Sequence, residues 1–244
     1  MSRTITRLGP TATREVTLSR PCDPAEVTST ELSTAADVVD WRRRVHALYR
    51  AVRETAEPRQ AHEAWRRGRD QLLASHPASP LLGEHRAGFS GLAVAEYDER
   101  YRFEVAVTEP DPSLPSAFKA STATDGDVPF ARLGTVVLPA PEGEVRLDVW
   151  RLASYGGGIF LPVKDAAPDS YGGGRYVLDT IKGSDLGTTR ADDGTVTLVV
   201  DLNFAYNPSC AYDPEWACPL PQQGNRTAVP LPVGEQHRGA WVDY

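Results

Sequence analysis

No run of about 18 apolar residues, the length a helix needs to cross a bilayer, occurs in this 244-residue chain, and no membrane association is expected. The opening segment MSRTITRLGPTATREVTLSRP has no apolar core of the kind a secretory signal carries. The expected location is therefore cytoplasmic. Cysteine is scarce: Cys22, Cys210 and Cys218 complete the set, and three thiols in a reducing compartment make no disulfide framework. Lysine is scarce too. Lys119, Lys164 and Lys182 apart, every one of the 26 basic residues is arginine, and the net charge is -7. An acidic chain repels phosphate backbones unless its cations gather on one face. The one basic cluster (Arg42, Arg43, Arg44, Arg50, Arg53, Arg59, Arg66, Arg67, Arg69) is interleaved with Asp and Glu at helical spacing, which reads as a solvated helix face. No nucleic-acid partner is expected. The chain also lacks G-x-S-x-G and H-E-x-x-H, so the commonest hydrolase and zincin routes have no support. No repeat of 20 to 50 residues is visible.

What is present divides the chain into three parts. Residues 1–32 are polar, without a sustained period, and read as a partly ordered arm with one short strand at 14–18. From Ser33 or Thr34, Val38, Trp41, Val45, Leu48 and Val52 recur every three or four residues, the stripe of an amphipathic helix. A second helix is expected after Pro58, a good first-turn residue, with Ala61, Trp65, Leu72 and Leu73 inward. Residues 33–75 thus form a helical hairpin.

Beyond His76-Pro77 and Pro80, which cannot continue a helix, the period becomes two. Strands are expected at 91–97 and 101–108 as a hairpin about Asp98-Glu99, near 118–123 inside a long loop, then at 131–138, 145–152, 158–163, 175–181, 195–204 and 229–233. Turn chemistry separates them and no helical crossover joins them. The expected fold class is mainly β, an antiparallel β-barrel or sandwich with an N-terminal α-helical hairpin. Residues 76–244 form one structural unit with the hairpin.

Two segments carry the candidate site. In the 195–204 strand the set Val196, Leu198, Val200, Leu202 and Phe204 faces the core, leaving Asp201 and Asn203 on the opposite face. Tyr206, Asn207, Cys210 and Cys218 follow among Pro208, Pro214, Pro219 and Pro221, which stiffen the segment by lowering the entropy lost on ordering it. The other segment is YGGGRY at 171–176. Gly172, Gly173 and Gly174 permit close backbone approach and exposed amides, and Arg175 offers a bidentate clamp for an anion. It lacks the Lys-Ser/Thr ending of a P-loop, and a near copy at 155–158 equally suits paired turns or bulges. His76, framed by Pro77, and Asp201 are the catalytic candidates; Arg102 joins Arg175 on the ligand.

The C-x7-C spacing of Cys210 and Cys218 is too wide for paired zinc ligands, and no metal is expected. A short-loop disulfide and a nucleophilic thiolate stand as alternatives to two inert buried thiols. No histidine lies within the segment to serve as the thiolate's base.

The motifs H-P-x-S-P-L at 76–81, F-x-G-L at 89–92, Y-x-x-x-Y-R-F at 97–103, Y-G-G-G-R-Y at 171–176, D-x-N-x-A-Y-N-P-S-C-A-Y at 201–212, C-P-L-P at 218–221 and Asn225 together resemble the bacterial and archaeal family known as domain of unknown function 1684, over about residues 36–236. Gln222-Gln223-Gly224 departs from it in a loop. The resemblance implies no reaction, cofactor or catalytic residue. The expected function is a small-molecule site between the two segments, serving a metal-independent enzyme on an anionic substrate. A non-catalytic ligand-binding module and a structural protein docking through its arginine-rich helices are the alternatives. Cofactor, reaction and oligomeric state are unspecified.

Overall fold

The computed structural model describes residues 28–122, 126–216 and 218–238; the arm at 1–27, with its expected strand at 14–18 and Cys22, lies outside them. Helix α1 runs Ser29–Glu54, starting earlier than the apolar stripe. The reason is a capping box. The Thr28 hydroxyl accepts from the Glu31 amide while the Glu31 carboxylate accepts from the Thr28 amide, so two otherwise unpaired groups are satisfied reciprocally. Residues 29–32 therefore belong to the hairpin and not to an arm. Helix α2, Pro58–Ser75, buries Ala61, Trp65, Leu72 and Leu73 as its period demands, and His62 with them. A short α3 follows at Gly83–Arg86.

Eight strands are formed among the described residues: β1 Arg102–Ala106, β2 Ala117–Thr122, β3 Gly126–Ala140, β4 Gly143–Leu152, β5 Ile159–Val163, β6 Arg175–Asp179, β7 Thr188–Arg190 and β8 Val196–Asp201. They make two antiparallel sheets, β1-β8-β7 and the meander β2-β3-β4-β5-β6. The fold is thus a mainly-β sandwich with an N-terminal helical pair. No continuous ladder closes a barrel among the described residues; isolated bridges, Thr108 with Thr135 and Tyr176 with Tyr206, tie the sheet edges together. One core joins Val136, Leu147, Leu161 and Val177 of the large sheet to Leu198 and Val200 of the small one and to Tyr49 and Trp65 of the helices.

Two expected strands are absent. Residues 91–97 do not pair with β1, because their amides go elsewhere: Leu92 donates to the Asp70 carboxylate and Ala95 to the Gly234 carbonyl, and the next residue, Asp98, donates to the Asn203 side chain. The expected turn at Asp98-Glu99 is a 3-10 turn, Glu99–Tyr101. Residues 229–233 form no strand because the Arg175 guanidinium takes the Leu231 and Val233 carbonyls that a ladder would have used.

Candidate functional site

Tyr176 of β6 and Tyr206, just after β8, exchange both backbone hydrogen bonds at 2.8 and 2.9 Å, and the Tyr171 hydroxyl lies 3.8 Å from Cys210 Sγ. The triple-glycine turn and the proline-stiffened segment are therefore neighbours.

The arginine between them has another task. Arg175 is 1% exposed. Its terminal nitrogens donate to Asp165 at 2.7 Å and to the Leu231, Val233 and Glu235 carbonyls, so it pins the C-terminal segment to β6. The glycines are explained the same way. The Gly174 amide donates to the Tyr171 carbonyl, and a Cβ on Gly174, whose φ is +88°, would meet Pro221 at 2.5 Å and the Val163 carbonyl at 2.9 Å. A Cβ on Gly173 would strike the Tyr171 ring, whereas one on Gly172 would meet open space.

The expected strand at 195–204 ends at Asp201 and gives way to the 3-10 turn Leu202–Phe204, and Asp201 and Asn203 are both buried. The Asp201 carboxylate caps the 3-10 turn Leu202–Phe204 by accepting from the Asn203 amide and side chain, and it accepts from the Tyr97 hydroxyl. Burial pushes its pKa up to about 6 against these hydrogen bonds and the nearby Arg102 charge. Arg102 is the direct cross-strand partner of Asp201. The two line a hollow of about 310 Å³ with Arg53, Thr188 and Thr189, below the α1–α2 turn. His76 lies elsewhere, as the C-cap of α2. Its Nε2 is 3.2 Å from Asp40, its Nδ1 accepts from the Ala78 amide, and its ring packs edge-on to Trp41. The two catalytic candidates therefore do not meet.

Tyr206, Asn207 and Cys218 do converge. With Tyr176 and Asp179 of β6, Lys182 just beyond it, Tyr212, and Trp41 and Arg69 of the helices, they line a pocket of about 80 Å³. A water occupies roughly 30 Å³ in the liquid, so the pocket holds about three waters, or a molecule of similar size. Helix α2 aims Arg69 here, out of the basic cluster. Its guanidinium stacks 4.7 Å from the Tyr206 ring centre and pairs with buried Glu235 at 2.6 Å. Burial is the largest single influence on Arg69 and would lower its pKa, but the Glu235 charge and hydrogen bond together with the Tyr49 and Tyr206 phenols outweigh it, and the net shift is upward. Three buried polar atoms on this wall have no hydrogen-bond partner among the described residues: Arg69 Nε, Asn207 Oδ1 and the Tyr212 hydroxyl. Burial raises the pKa of Asp179 despite Lys182 at 4.0 Å. The Cys218 thiol is pushed below the ordinary range, foremost by the Cys210 thiol beside it. No disulfide joins the two.

Arg69, Trp41, Asp179 and Lys182 were not identified from sequence as site residues. Arg69 gave no separate signal, being one arginine of nine at helical spacing. Elsewhere that cluster does face solvent: Arg43 and Arg44 pair with Asp40, and Arg67 with Glu63. Among the described residues no three His, Cys, Asp or Glu side chains gather as metal ligands, and no helix is long and apolar enough to cross a membrane.

Comparison with known proteins agrees with the fold. A family profile described as "Protein of unknown function (DUF1684)" matches residues 87–236, starting later than the motif resemblance. The solution NMR structure of an uncharacterised protein of Haloarcula marismortui is similar, with 29% identity and a TM-score of 0.52 over 71% of this chain and 91% of that one. No curated protein matches.

Proposed function

We propose that this chain, which belongs to the DUF1684 family of proteins of unknown function, binds a small carboxylate that also carries a hydrogen-bond donor, in the pocket between α1, α2, β6 and residues 206–218. The observation that carries this reading is that Arg69, Asn207 and Tyr212, each holding a buried polar atom without a hydrogen-bond partner among the described residues, line one hollow. A buried polar atom left unpaired costs about 1–3 kcal/mol, and native folds hold few of them. Two of these atoms can donate to a carboxylate, with Lys182 adding positive charge at the rim; Asn207 Oδ1 can accept from a hydroxyl or ammonium group. The rings of Trp41, Tyr176 and Tyr206 bound the remaining walls, and a room of about 80 Å³ selects something of few heavy atoms.

The test uses glycolate and glycine as probes, with neutral glycolamide as control. A ligand at a hundred times its Kd adds about 2.7 kcal/mol, roughly 5–10 °C in Tm at this size. Glycolate is expected to raise the Tm of the full chain and glycolamide to leave it unchanged. Tyr212→Phe removes only an unpaired hydroxyl, so it should abolish the response while leaving the unliganded Tm within about a degree. A Tyr212→Phe protein that responds like wild type, or a wild type indifferent to both carboxylates and isolated without a bound small molecule by native mass spectrometry, refutes the reading.

A further inference from the structure

We propose that Cys218 is the nucleophile of this pocket, attacking a small carboxylate whose neighbouring carbon bears a leaving group. The inference rests on the pocket reading above and adds chemistry to it. Cys218 is half-buried and lines the same hollow as Asn207 and Tyr212. Those two side chains are 4% and 3% exposed and hold unpartnered polar atoms in that wall. The Cys218 side chain thus borders the same hollow as those groups. It is also fixed. Pro219 and Pro221 follow it, and the Tyr176 hydroxyl donates to the Pro219 carbonyl at 2.7 Å.

The electrostatics favour the thiolate, the nucleophilic form. The Cys210 amide donates to Cys218 Sγ at 3.4 Å, and the Cys210 thiol's own hydrogen bond with Cys218, together with burial, pushes the Cys210 pKa up. Lys182, on the turn after β6, contributes positive charge, as does Arg69 across the pocket on α2, although Glu235 offsets much of the latter. Tyr176 and Tyr206 face the sulfur's surroundings with hydroxyls whose pKa burial raises, so both stay neutral. Tyr212 completes the phenolic lining. Asp179 opposes the thiolate, but burial favours its protonated form. In the step itself the thiol proton passes to solvent, a sulfur lone pair forms the S–C bond, and the leaving group departs with the electrons of its own bond to that carbon.

Iodoacetate, a carboxylate of this kind, and neutral iodoacetamide serve as probes; both leave a thioether and iodide. Labelling of each cysteine is followed by peptide mass spectrometry from pH 5 to 10, on the native full chain and in urea. Cys218 is expected to react at pH 7 at least tenfold faster in the native chain, with an inflection below the roughly 8.5 of an ordinary thiol. It should also favour iodoacetate over iodoacetamide relative to the unfolded chain. Lys182→Gln should raise the inflection and weaken that preference, and Cys218→Ser should lose the label. Native Cys218 labelling that is slower than in urea, with an ordinary inflection and an intact glycolate response, overturns the nucleophile and leaves the pocket reading standing. Fast labelling with no preference for iodoacetate and no glycolate response overturns the pocket reading and with it the carboxylate substrate.

Discussion

Asp201 shows how a residue can be recognised correctly as special and misjudged in its role. Its polar identity at the end of an apolar strand marks it in the sequence, yet its oxygens serve Asn203 and Tyr97. A cost remains. The carboxyl titrates near 3.8 in the unfolded chain and near 6 in the fold. Between those values the folded chain binds the extra proton, so stability falls as pH rises through the window. A shift of about two units corresponds to about 3 kcal/mol. Asp201→Asn, which does not titrate, should gain about that much relative to wild type between pH 4 and pH 6.5, measured by urea unfolding. Burial of His62, which lowers its pKa, acts with the opposite sign below about pH 6.5 and is common to both proteins, so the difference cancels it. A difference independent of pH would mean that the carboxyl is not raised.

At the scale of elements, the triple-glycine turn separates the reading by anion binding from the reading by close packing. Gly172 has room for a side chain and Gly174 has none, by both its positive φ and its contacts with Pro221 and Val163. Gly172→Ala should therefore change stability by no more than about 0.5 kcal/mol, and Gly174→Ala should cost 2 kcal/mol or more; chemical denaturation of the two variants checks this. Equal costs would remove the packing account.

The same contrast explains what was legible. The periods of three to four in α1 and α2 and of two in β8 show in the sequence because burial follows them: Trp65, Leu73, Leu198 and Val200 lie inside as their spacing requires. What was hidden depends on side chains reaching across sequence. The strand at 229–233 is lost to Arg175, the hairpin at 91–97 to Asp70 and Asn203, and the pocket gains Arg69 only because Glu235, 166 residues away, receives it. A spacing pattern records which way a side chain points on its own element, and none of these partners is on the same element. The box at Thr28 and Glu31, by contrast, was local and readable, and it was overlooked because the apolar stripe begins later.

For the whole molecule, the helical hairpin is the part whose standing differs most between sequence kinship and packing. The matched family region begins at residue 87, after both long helices, as though the sandwich were complete without them. The core says otherwise. Trp65 is fully buried and packs edge-on to Phe204 at 5.2 Å, His62 stacks with Trp65 and meets Phe204 edge-on, and Tyr49 and Ala61 belong to the same apolar cluster as Leu198 and Leu202. Arg69 and Glu235 are a buried pair, and removing one member of such a pair costs about 3–5 kcal/mol. A chain beginning at residue 76 would thus lose its largest buried ring and leave Glu235 uncompensated, against a net stability for whole domains of only about 5–15 kcal/mol. It should bind a hydrophobic dye such as ANS, melt without a cooperative transition, and show no glycolate response, since Trp41, Val45, Arg69 and Leu73 would be gone from the pocket wall. Cooperative unfolding of that truncated chain with wild-type dye binding would establish the sandwich as self-sufficient, and the helices would then be a lid over its pocket and not a wall of its core.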